Sequence, residues 1–246
     1  MIPAPARPFF VAGGFDPAAY PGFKAYWLAD DAVVGGGSVV SSVPVSQGTL
    51  GSLVGYGAPV YTANGWPVGA TPAVAFSNAD ARALSSTTGF DASADFDMFV
   101  VFSADSAVAG ADQQWLAFLG TFGDIFGVAH VRSFDSENWV YRQDVGWVTN
   151  AVDALAGPQV WAVRYRSADP SPNLKVWRSG ALSMSGDIGS FPVDAFTVGG
   201  LLVGGVPAGP GTQLNGLWKA ALLYQGSAMT EVQDLEISAE LTTLFL

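Results

Sequence analysis

The 246-residue sequence contains no cysteine, a single histidine and only four glutamates. Without cysteine the chain forms no disulfide, no thiolate zinc site and no cysteine nucleophile. One histidine is too few for the usual histidine-rich metal site. Lysine and arginine together number ten, form no cluster, and leave a net charge of −11. The basic footprint that phosphates require is therefore missing, which argues against nucleic acid and anionic membrane surfaces as partners.

Charge of either sign is also scarce, at 13% of residues against a usual share of about 25%. Half of the residues are apolar, enough to bury a sizeable core. The apolar runs, such as 196–206, are interrupted by glycine and fall short of the roughly 20 residues of a membrane-spanning helix. The N-terminal sequence lacks the continuous apolar core of an export signal. We therefore expect one large domain without membrane insertion, made in the cytoplasm and used there or assembled there into a particle.

Short segments rich in aromatic and β-branched residues alternate with turn residues along most of the chain. Phe96–Phe102 is the strongest strand prediction. The segments 159–166 and 174–178, separated by the turn sequence SADPSPN, predict a hairpin. About a dozen such strands predict an all-β fold, a two-sheet antiparallel jelly-roll sandwich.

One segment has the signature of a helix. Thr230 and Gln233 form a capping box, and Glu231 and Asp234 place negative charge in the first turn, where the helix dipole favours it. The expected apolar face consists of Val232, Leu235, Ala239 and Leu241. The sequence therefore predicts one short C-terminal helix.

Residues 1–22 are rich in proline, alanine and glycine. Proline fixes φ and removes a backbone donor, so we predict an extended arm at 1–22, followed by the sandwich domain at 23–246. Two interpretations stay open: the arm packs on its own sandwich, or it anchors the protein to a neighbour in an assembly. The assembly interpretation assigns docking to Pro3, Pro5, Pro8, Phe9 and Phe10.

Several segments follow one another in the order typical of a known fold: PGFKAYWLADD at 21–31, FTVGG at 196–200, and GLWKAALLY with the terminal helix at 216–246. In this the chain resembles the concanavalin A-like, laminin-G-like jelly roll found in structural proteins of tailed phages and in bacterial surface proteins. Two positions depart from the family pattern. Arg178-Ser179-Gly180 stands where Val-Asn-Gly is frequent, and Lys219-Ala220 stands where an acidic residue is frequent.

The resemblance implies a non-enzymatic structural protein of a phage or phage-like virion, as a capsid decoration, fibre or tail component. Its partners would be capsid or tail proteins of the same particle, with a homo-oligomeric assembly and binding of a host glycan as further expectations. The alternative is a carbohydrate-binding module of a cell-surface or secreted protein. A glycoside hydrolase is the third hypothesis.

Catalytic motifs are missing from the sequence. Three of the four glutamates lie on the predicted helix, Glu137 stands alone, and no Glu-x-Asp pair exists. Asp95 and Asp97 share a strand face by alternation, but aspartate is common where a strand begins. No G-x-S-x-G sequence accompanies His130, which we interpret as structural. We therefore expect no enzymatic activity.

Seventeen aspartates leave a structural calcium ion open, with Asp112, Asp124 and Asp135 in loop-like sequence, although no loop shows the dense alternation of a calcium motif. We assign no cofactor. For glycan binding the candidates are aromatic residues in loop-like or strand-end sequence, since sugar C–H faces stack on aromatic rings: Trp66, Trp139, Trp147, Tyr56 and Tyr61. The alternative is that these rings fill the core or a subunit interface.

Overall fold

The computed structural model describes the backbone of residues 14–77, 82–91, 94–104, 114–119, 126–130, 137–142, 146–151, 157–169, 171–187, 193–198, 202–203, 206–207, 214–226 and 228–246. Side chains are described within 14–77, 82–86, 94–104, 157–169, 171–187, 196–198, 214–226 and 228–246. These residues contain no helix that is long and apolar enough to cross a membrane.

The described residues form twenty strands and one α-helix, which confirms the predicted fold class. The first ten strands are β1 (Phe23–Leu28), β2 (Val33–Val34), β3 (Val40–Val43), β4 (Gln47–Gly48), β5 (Leu53–Tyr56), β6 (Val60–Thr62), β7 (Ala73–Phe76), β8 (Ala83–Asp91), β9 (Phe96–Ala104) and β10 (Gln114–Leu119). The next ten are β11 (Phe126–His130), β12 (Glu137–Arg142), β13 (Gly146–Ala151), β14 (Gly157–Tyr165), β15 (Leu174–Arg178), β16 (Ala181–Gly186), β17 (Val193–Val198), β18 (Leu202–Val203), β19 (Val206–Pro207) and β20 (Gly216–Gln225). The helix α1 spans Glu231–Phe245.

The strands build two large antiparallel sheets. The first sheet has the order β16-β15-β14-β9-β20-β1-β4, and β7 pairs with both β20 and β6. The second sheet has the order β13-β12-β11-β10-β17-β8-β5-β3-β2, while β18 and β19 form a separate pair. The expected hairpin is β14–β15, in which Trp161 faces Arg178 and Tyr165 faces Leu174.

An inter-sheet core fills the space between the two sheets. The first sheet contributes side chains such as Trp27 and Phe102, and the second contributes Phe196 and Val198. The Trp27 and Phe196 rings stack across the gap with centroids 5.3 Å apart. Burying each such large apolar side chain contributes about 1.5–3 kcal/mol, so this core dominates the stability of the fold.

The first sheet is covered on both faces. All nine residues of β9 are buried. Alternate residues of this strand face the inter-sheet core, and Phe99 and Val101 face a second cluster on the outside of the sheet. We call that cluster the outer core; α1 contributes Ile237 and Leu241 to it, and the sheet contributes residues such as Leu222. A strand with two buried faces reads as a nearly continuous apolar run, which is why FDMFVVF is so conspicuous in the sequence.

The helix has the predicted capping box: the Thr230 side chain accepts from Gln233 N, and the Gln233 side chain accepts from Thr230 N. Its buried face differs from the predicted one and consists of Asp234, Ile237, Ser238, Leu241 and Phe245. Val232 is 64% exposed, and Ala239 is also exposed. The predicted face was therefore wrong for Val232 and Ala239, whereas Leu241 is buried and Leu235 packs against the outer core. Asp234 lies on the buried side, where it pairs with Arg164 of the sheet.

Residues 14–22 of the predicted arm pack on the outside of the first sheet. Phe15 lies in the outer core, Pro17 begins a single 3-10 turn, and the Pro17 carbonyl accepts a hydrogen bond from Tyr224 Oη at 3.1 Å. For these residues the arm packs on its own sandwich. The docking residues Pro3, Pro5, Pro8, Phe9 and Phe10 lie outside the described residues, and the assembly hypothesis stays a prediction.

Candidate functional site

The outer face of the first sheet is closed by α1 and by the segment around Trp66. Trp66 is 1% exposed, belongs to the outer core, and donates its indole N–H to the Phe245 carbonyl at 2.9 Å. A ring buried in this way has no face left for a sugar. The prediction of Trp66 as a glycan-binding residue is therefore wrong: its N–H bonds one of the last carbonyls of the helix, which have no partner within the helix itself.

A buried charge network lies beneath the start of α1. Asp97 on β9 accepts from Arg166 Nη2 at 2.6 Å, and Asp234 on the helix accepts from Arg164 Nη1. Both guanidinium groups also donate to the Met229 carbonyl, at 2.8 Å and 3.1 Å. The network therefore connects the helix start to the middle of the first sheet.

The two carboxyl groups of this network have raised pKa values. For Asp97 the main cause is burial, the second is the charge of Asp234, and the two arginines act in the opposite direction. For Asp234 burial again raises the pKa, while Arg164 and a hydrogen bond to Asp97 act against it. A pair of acids with perturbed pKa values is a feature of glycosidase sites. Here, however, both carboxylates are 1% exposed and are paired with arginines beneath a helix.

Asp95, the other carboxylate considered from the sequence, has a local structural role. Its Oδ1 accepts from both the backbone N–H and the hydroxyl of Ser167, each at 2.8 Å. It therefore ties the start of β9 to the end of the β14 segment, in agreement with the interpretation of Asp95 and Asp97 as residues that frame the strand.

A cavity of about 320 Å³ lies where the N-terminal segment meets the helix. Its lining includes Phe15, Asp16, Tyr20, Gln233 and Glu240. Burial together with the charges of Glu236 and Glu240 raises the pKa of Tyr20. None of the five aromatic candidates lines this cavity.

The second sheet carries two of the aromatic candidates on adjacent strands. Trp139 lies on β12 and Trp147 on β13, where Trp147 pairs directly with Tyr141. Directly paired residues of antiparallel strands share a face, and so do residues two apart along a strand. The register therefore places Trp139, Tyr141 and Trp147 on one face of the β12–β13 hairpin. We call this set the aromatic triad.

The register also shows which face this is. Tyr141 pairs with Gly127, Gly127 pairs with Phe118, and Phe118 pairs with Thr197. The neighbours of Thr197 on β17, Phe196 and Val198, belong to the inter-sheet core. Because side chains alternate along a strand, the aromatic triad lies on the opposite face of the second sheet, away from that core.

The two tyrosine candidates lie elsewhere. Tyr56 is half-buried at the end of β5, which is five strand spacings from β12, or roughly 24 Å at about 4.8 Å per spacing. Tyr61 lies on β6 and packs against the inter-sheet core. Neither tyrosine belongs to the same site as the aromatic triad.

The remaining sequence candidates give no metal site. Within the described parts of the chain, no three histidine, aspartate or glutamate side chains come together as metal ligands. Asp112, Asp124 and Asp135 lie outside the described residues, so a calcium ion at these aspartates stays an open hypothesis from the sequence. His130 ends β11 and pairs with Gln114 of β10.

Comparison with known proteins confirms the sandwich fold. No protein-family model matches the sequence, and no curated protein matches it. Among solved structures, domain 4 of AbnA, a GH43 extracellular arabinanase from Geobacillus stearothermophilus, in complex with arabinotriose, is similar with a TM-score of 0.59 at 12% identity. That match covers 89% of this chain and 99% of the domain.

A second similarity is to Trypanosoma rangeli sialidase, with a TM-score of 0.60 at 15% identity. It covers 100% of this chain but only 35% of the sialidase, so this chain spans about a third of that protein. A mutant of the same sialidase displaying trans-sialidase activity gives a TM-score of 0.61 at 10% identity, over 94% of this chain and 34% of the mutant. At such identities the likeness shows the fold alone, a two-sheet β-sandwich, and it does not show the phage-protein type.

Proposed function

We propose that the protein is a non-catalytic carbohydrate-binding module whose binding surface is the aromatic triad of β12 and β13. The observation that carries the proposal is the register of these strands, which brings Trp139, Tyr141 and Trp147 together on the face away from the inter-sheet core. Aromatic rings offer large apolar surfaces against which sugar C–H faces stack. Adjacent strands lie about 4.8 Å apart, so the three positions lie close together on that face.

The similar structures support this proposal over the particle-component hypothesis. The AbnA domain is matched over almost its whole length, and it holds arabinotriose. The docking residues that the particle hypothesis invokes lie outside the described residues, so that hypothesis stays a prediction. The glycosidase hypothesis needs a carboxylate pair that faces a groove, whereas Asp97 and Asp234 are buried and paired with arginines.

The test compares variants of the triad with a matched tryptophan variant elsewhere. Trp139→Ala and Trp147→Ala should each weaken glycan binding at least tenfold, since central aromatic anchors contribute about 2 kcal/mol or more to binding. Trp66→Phe is the control: it removes a buried N–H donor and should lower the free energy of unfolding by about 1–3 kcal/mol with affinity unchanged.

Affinity is measured on a glycan array and then by titration calorimetry, and stability by urea unfolding. The proposal fails if the folded wild-type chain binds no glycan on the array. It also fails if both triad variants bind as tightly as the wild type.

A further inference from the structure

The cavity of about 320 Å³ between residues 14–20 and α1 has a lining whose side chains are all described. The helix contributes Gln233 and Glu240, which are about two turns apart and therefore lie on the same side of it. The facing segment contributes Gly14, Phe15, Asp16, Ala19 and Tyr20. The volume lies at the lower end of the roughly 300–1,000 Å³ of small-molecule sites. The cavity therefore has room for one small ligand rather than for a polymer chain.

The wall formed by residues 14–20 is fixed to the sandwich. Phe15 is 8% exposed and belongs to the outer core, and its ring centroid lies 6.3 Å from that of Tyr20, with the two planes tilted by 45°. The Pro17 carbonyl accepts from the Tyr20 N–H at 3.4 Å and from Tyr224 Oη at 3.1 Å. The half-buried Tyr20 ring is thus held in place before any ligand arrives, which lowers the entropy lost on binding.

Two polar groups of the lining are also held in position by hydrogen bonds to neighbouring residues. Asp16 Oδ1 accepts from the Ala18 N–H at 3.0 Å and from Gln47 Nε2 at 3.3 Å. Gln233 Oε1 accepts from the Thr230 N–H at 2.9 Å, so this amide offers its Nε2 donors to a ligand. The lining therefore combines carboxylate acceptors, an amide donor and the Tyr20 hydroxyl, which both donates and accepts.

We propose that this cavity is a second carbohydrate site, which takes a single neutral sugar unit and is separate from the aromatic triad. Sugar hydroxyl groups both donate and accept, so one sugar can bond the Asp16 and Glu240 carboxylates together with the Gln233 amide. Hydrogen bonds to a carboxylate are about twice as strong as neutral ones. The apolar C–H face of the sugar stacks on the Tyr20 ring.

The charges of the lining favour a neutral sugar over charged ligands. Burial, together with the charges of Glu236 and Glu240, raises the pKa of Tyr20, so its hydroxyl keeps the proton that it donates. An anionic ligand would meet Asp16 and Glu240 as like charges. An alkylammonium ion would pair with these carboxylates, but it has no acceptor for the Gln233 amide. A neutral polyol uses the acceptors, the donors and the ring together.

The experiment titrates the isotope-labelled full chain with the methyl glycosides of arabinose, galactose and glucose and follows the backbone amide signals by NMR. At least one glycoside should shift signals of residues 14–20 and 233–240, with a Kd of about 1 mM, as is usual for a ligand this small. The affinity should change less than about twofold between roughly 50 mM and 500 mM salt, because no ion pair contributes to it.

Three variants locate the site. Ala19 is exposed and lines the cavity, so Ala19→Phe fills it without entering the core and should weaken binding at least about tenfold. Glu240→Gln should weaken binding about fivefold to tenfold, since hydrogen bonds to a charged acceptor are lost. Glu236→Gln is the matched control: Glu236 is exposed on the same helix but does not line the cavity, and the affinity should stay within about twofold of the wild type.

No shift with any glycoside, or shifts that persist in Ala19→Phe, would overturn the inference. Tighter binding of cadaverine than of every glycoside, weakened both by high salt and by Glu236→Gln, would also overturn it, because the cavity would then be a cation site. Trp139→Ala and Trp147→Ala should leave these shifts unchanged. Glycan binding that is lost in the two tryptophan variants but unaffected by Ala19→Phe would refute this second site and leave the proposed function standing.

Discussion

Replacing Arg166 with methionine should lower the free energy of unfolding far more than replacing an exposed cation with methionine. Arg166 is 3% exposed and donates to Asp97 at 2.6 Å, to the Phe96 and Tyr165 carbonyls at 2.9 Å and 2.8 Å, and to the Met229 carbonyl at 3.1 Å. Methionine keeps the apolar stem of the side chain but removes the donor at 2.6 Å, and leaves the buried Asp97 with Arg164 Nη1 at 3.9 Å as its remaining cation. Breaking a buried ion pair in this way costs about 3–5 kcal/mol. That is a large part of the 5–15 kcal/mol by which a typical domain is stable.

Urea unfolding at pH 7, followed by far-UV circular dichroism, measures this loss, provided that the slope of free energy against urea is unchanged. Lys175→Met is the matched control, because the Lys175–Glu231 pair is exposed to 30% and 45% and should contribute at most about 1 kcal/mol. The double variant Arg166→Met with Asp97→Leu should recover about 2 kcal/mol of the loss, since no unpaired charge remains. A loss below 1 kcal/mol for Arg166→Met, or no recovery in the double variant, would show that the network does not hold the helix to the sheet.

Two further predictions concern pH and backbone geometry. Burial and the charge of Asp234 raise the pKa of Asp97, so the folded state binds a proton on this carboxyl more tightly than the unfolded state does. The stabilisation that this proton contributes is complete below about pH 4 and is lost as the pH rises through the raised pKa. Asp234→Asn should therefore flatten the fall in unfolding free energy between pH 4 and pH 8, and equal slopes in variant and wild type would contradict this. Gly22 and Gly180 have similar φ values of +80° and +84°, but a Cβ on Gly22 would lie 2.3 Å from the Gln225 carbonyl oxygen, whereas one on Gly180 meets nothing within 4 Å. Gly180→Ala should lower the free energy of unfolding by about 1–2 kcal/mol through backbone strain. Gly22→Ala should lower it by about 1–3 kcal/mol more, because the added Cβ also clashes with the Gln225 carbonyl. Equal urea midpoints for the two variants would refute the close approach at Gly22.

The fold class could be predicted from the sequence because the strongest strands are also the most buried ones. Phe96–Phe102 and the 159–166 segment stand out as apolar runs, and they form the neighbouring strands β9 and β14 of the first sheet. Strand β8 was missed because its sequence, ALSSTTGFD, is polar. Its serines are satisfied across the sheet: Ser85 Oγ accepts from Thr197 at 2.9 Å, and Ser86 Oγ accepts from the Phe196 N–H at 3.0 Å. A residue-by-residue pattern does not reveal such partners, since they lie 110 or more positions away.

The helix shows the opposite limit of sequence interpretation. Its start is set by a local capping box and was predicted correctly. On its buried face Asp234 pairs with Arg164 of β14, whereas Val232 is exposed. Local signals determine where a helix begins, but an ion pair with a distant strand cannot be read from the helix sequence.

The candidate site was only half predictable. Trp139 and Trp147 were named individually, while Tyr141 was overlooked, although the spacing of ENWVYR already places positions 139 and 141 on one face of a strand. Trp66 was misassigned because its flanks look like a loop. Only the three-dimensional structure shows that this loop lies against the end of α1, 179 residues away.

The position of β20 has a consequence for how the chain acquires its structure during synthesis. β20 lies between β9 and β1 in the first sheet, so both of these strands lack their longest partner until residue 225 has left the ribosome. Between the synthesis of β9 and that of β20, about half of the chain, the nascent chain therefore carries two strand edges without this partner, and such edges promote association with other chains. Strand pairings this distant in sequence also slow folding, because the chain loses the entropy of closing a long loop before the stabilising contacts form. We therefore expect the first sheet to close only after β20 has been synthesised.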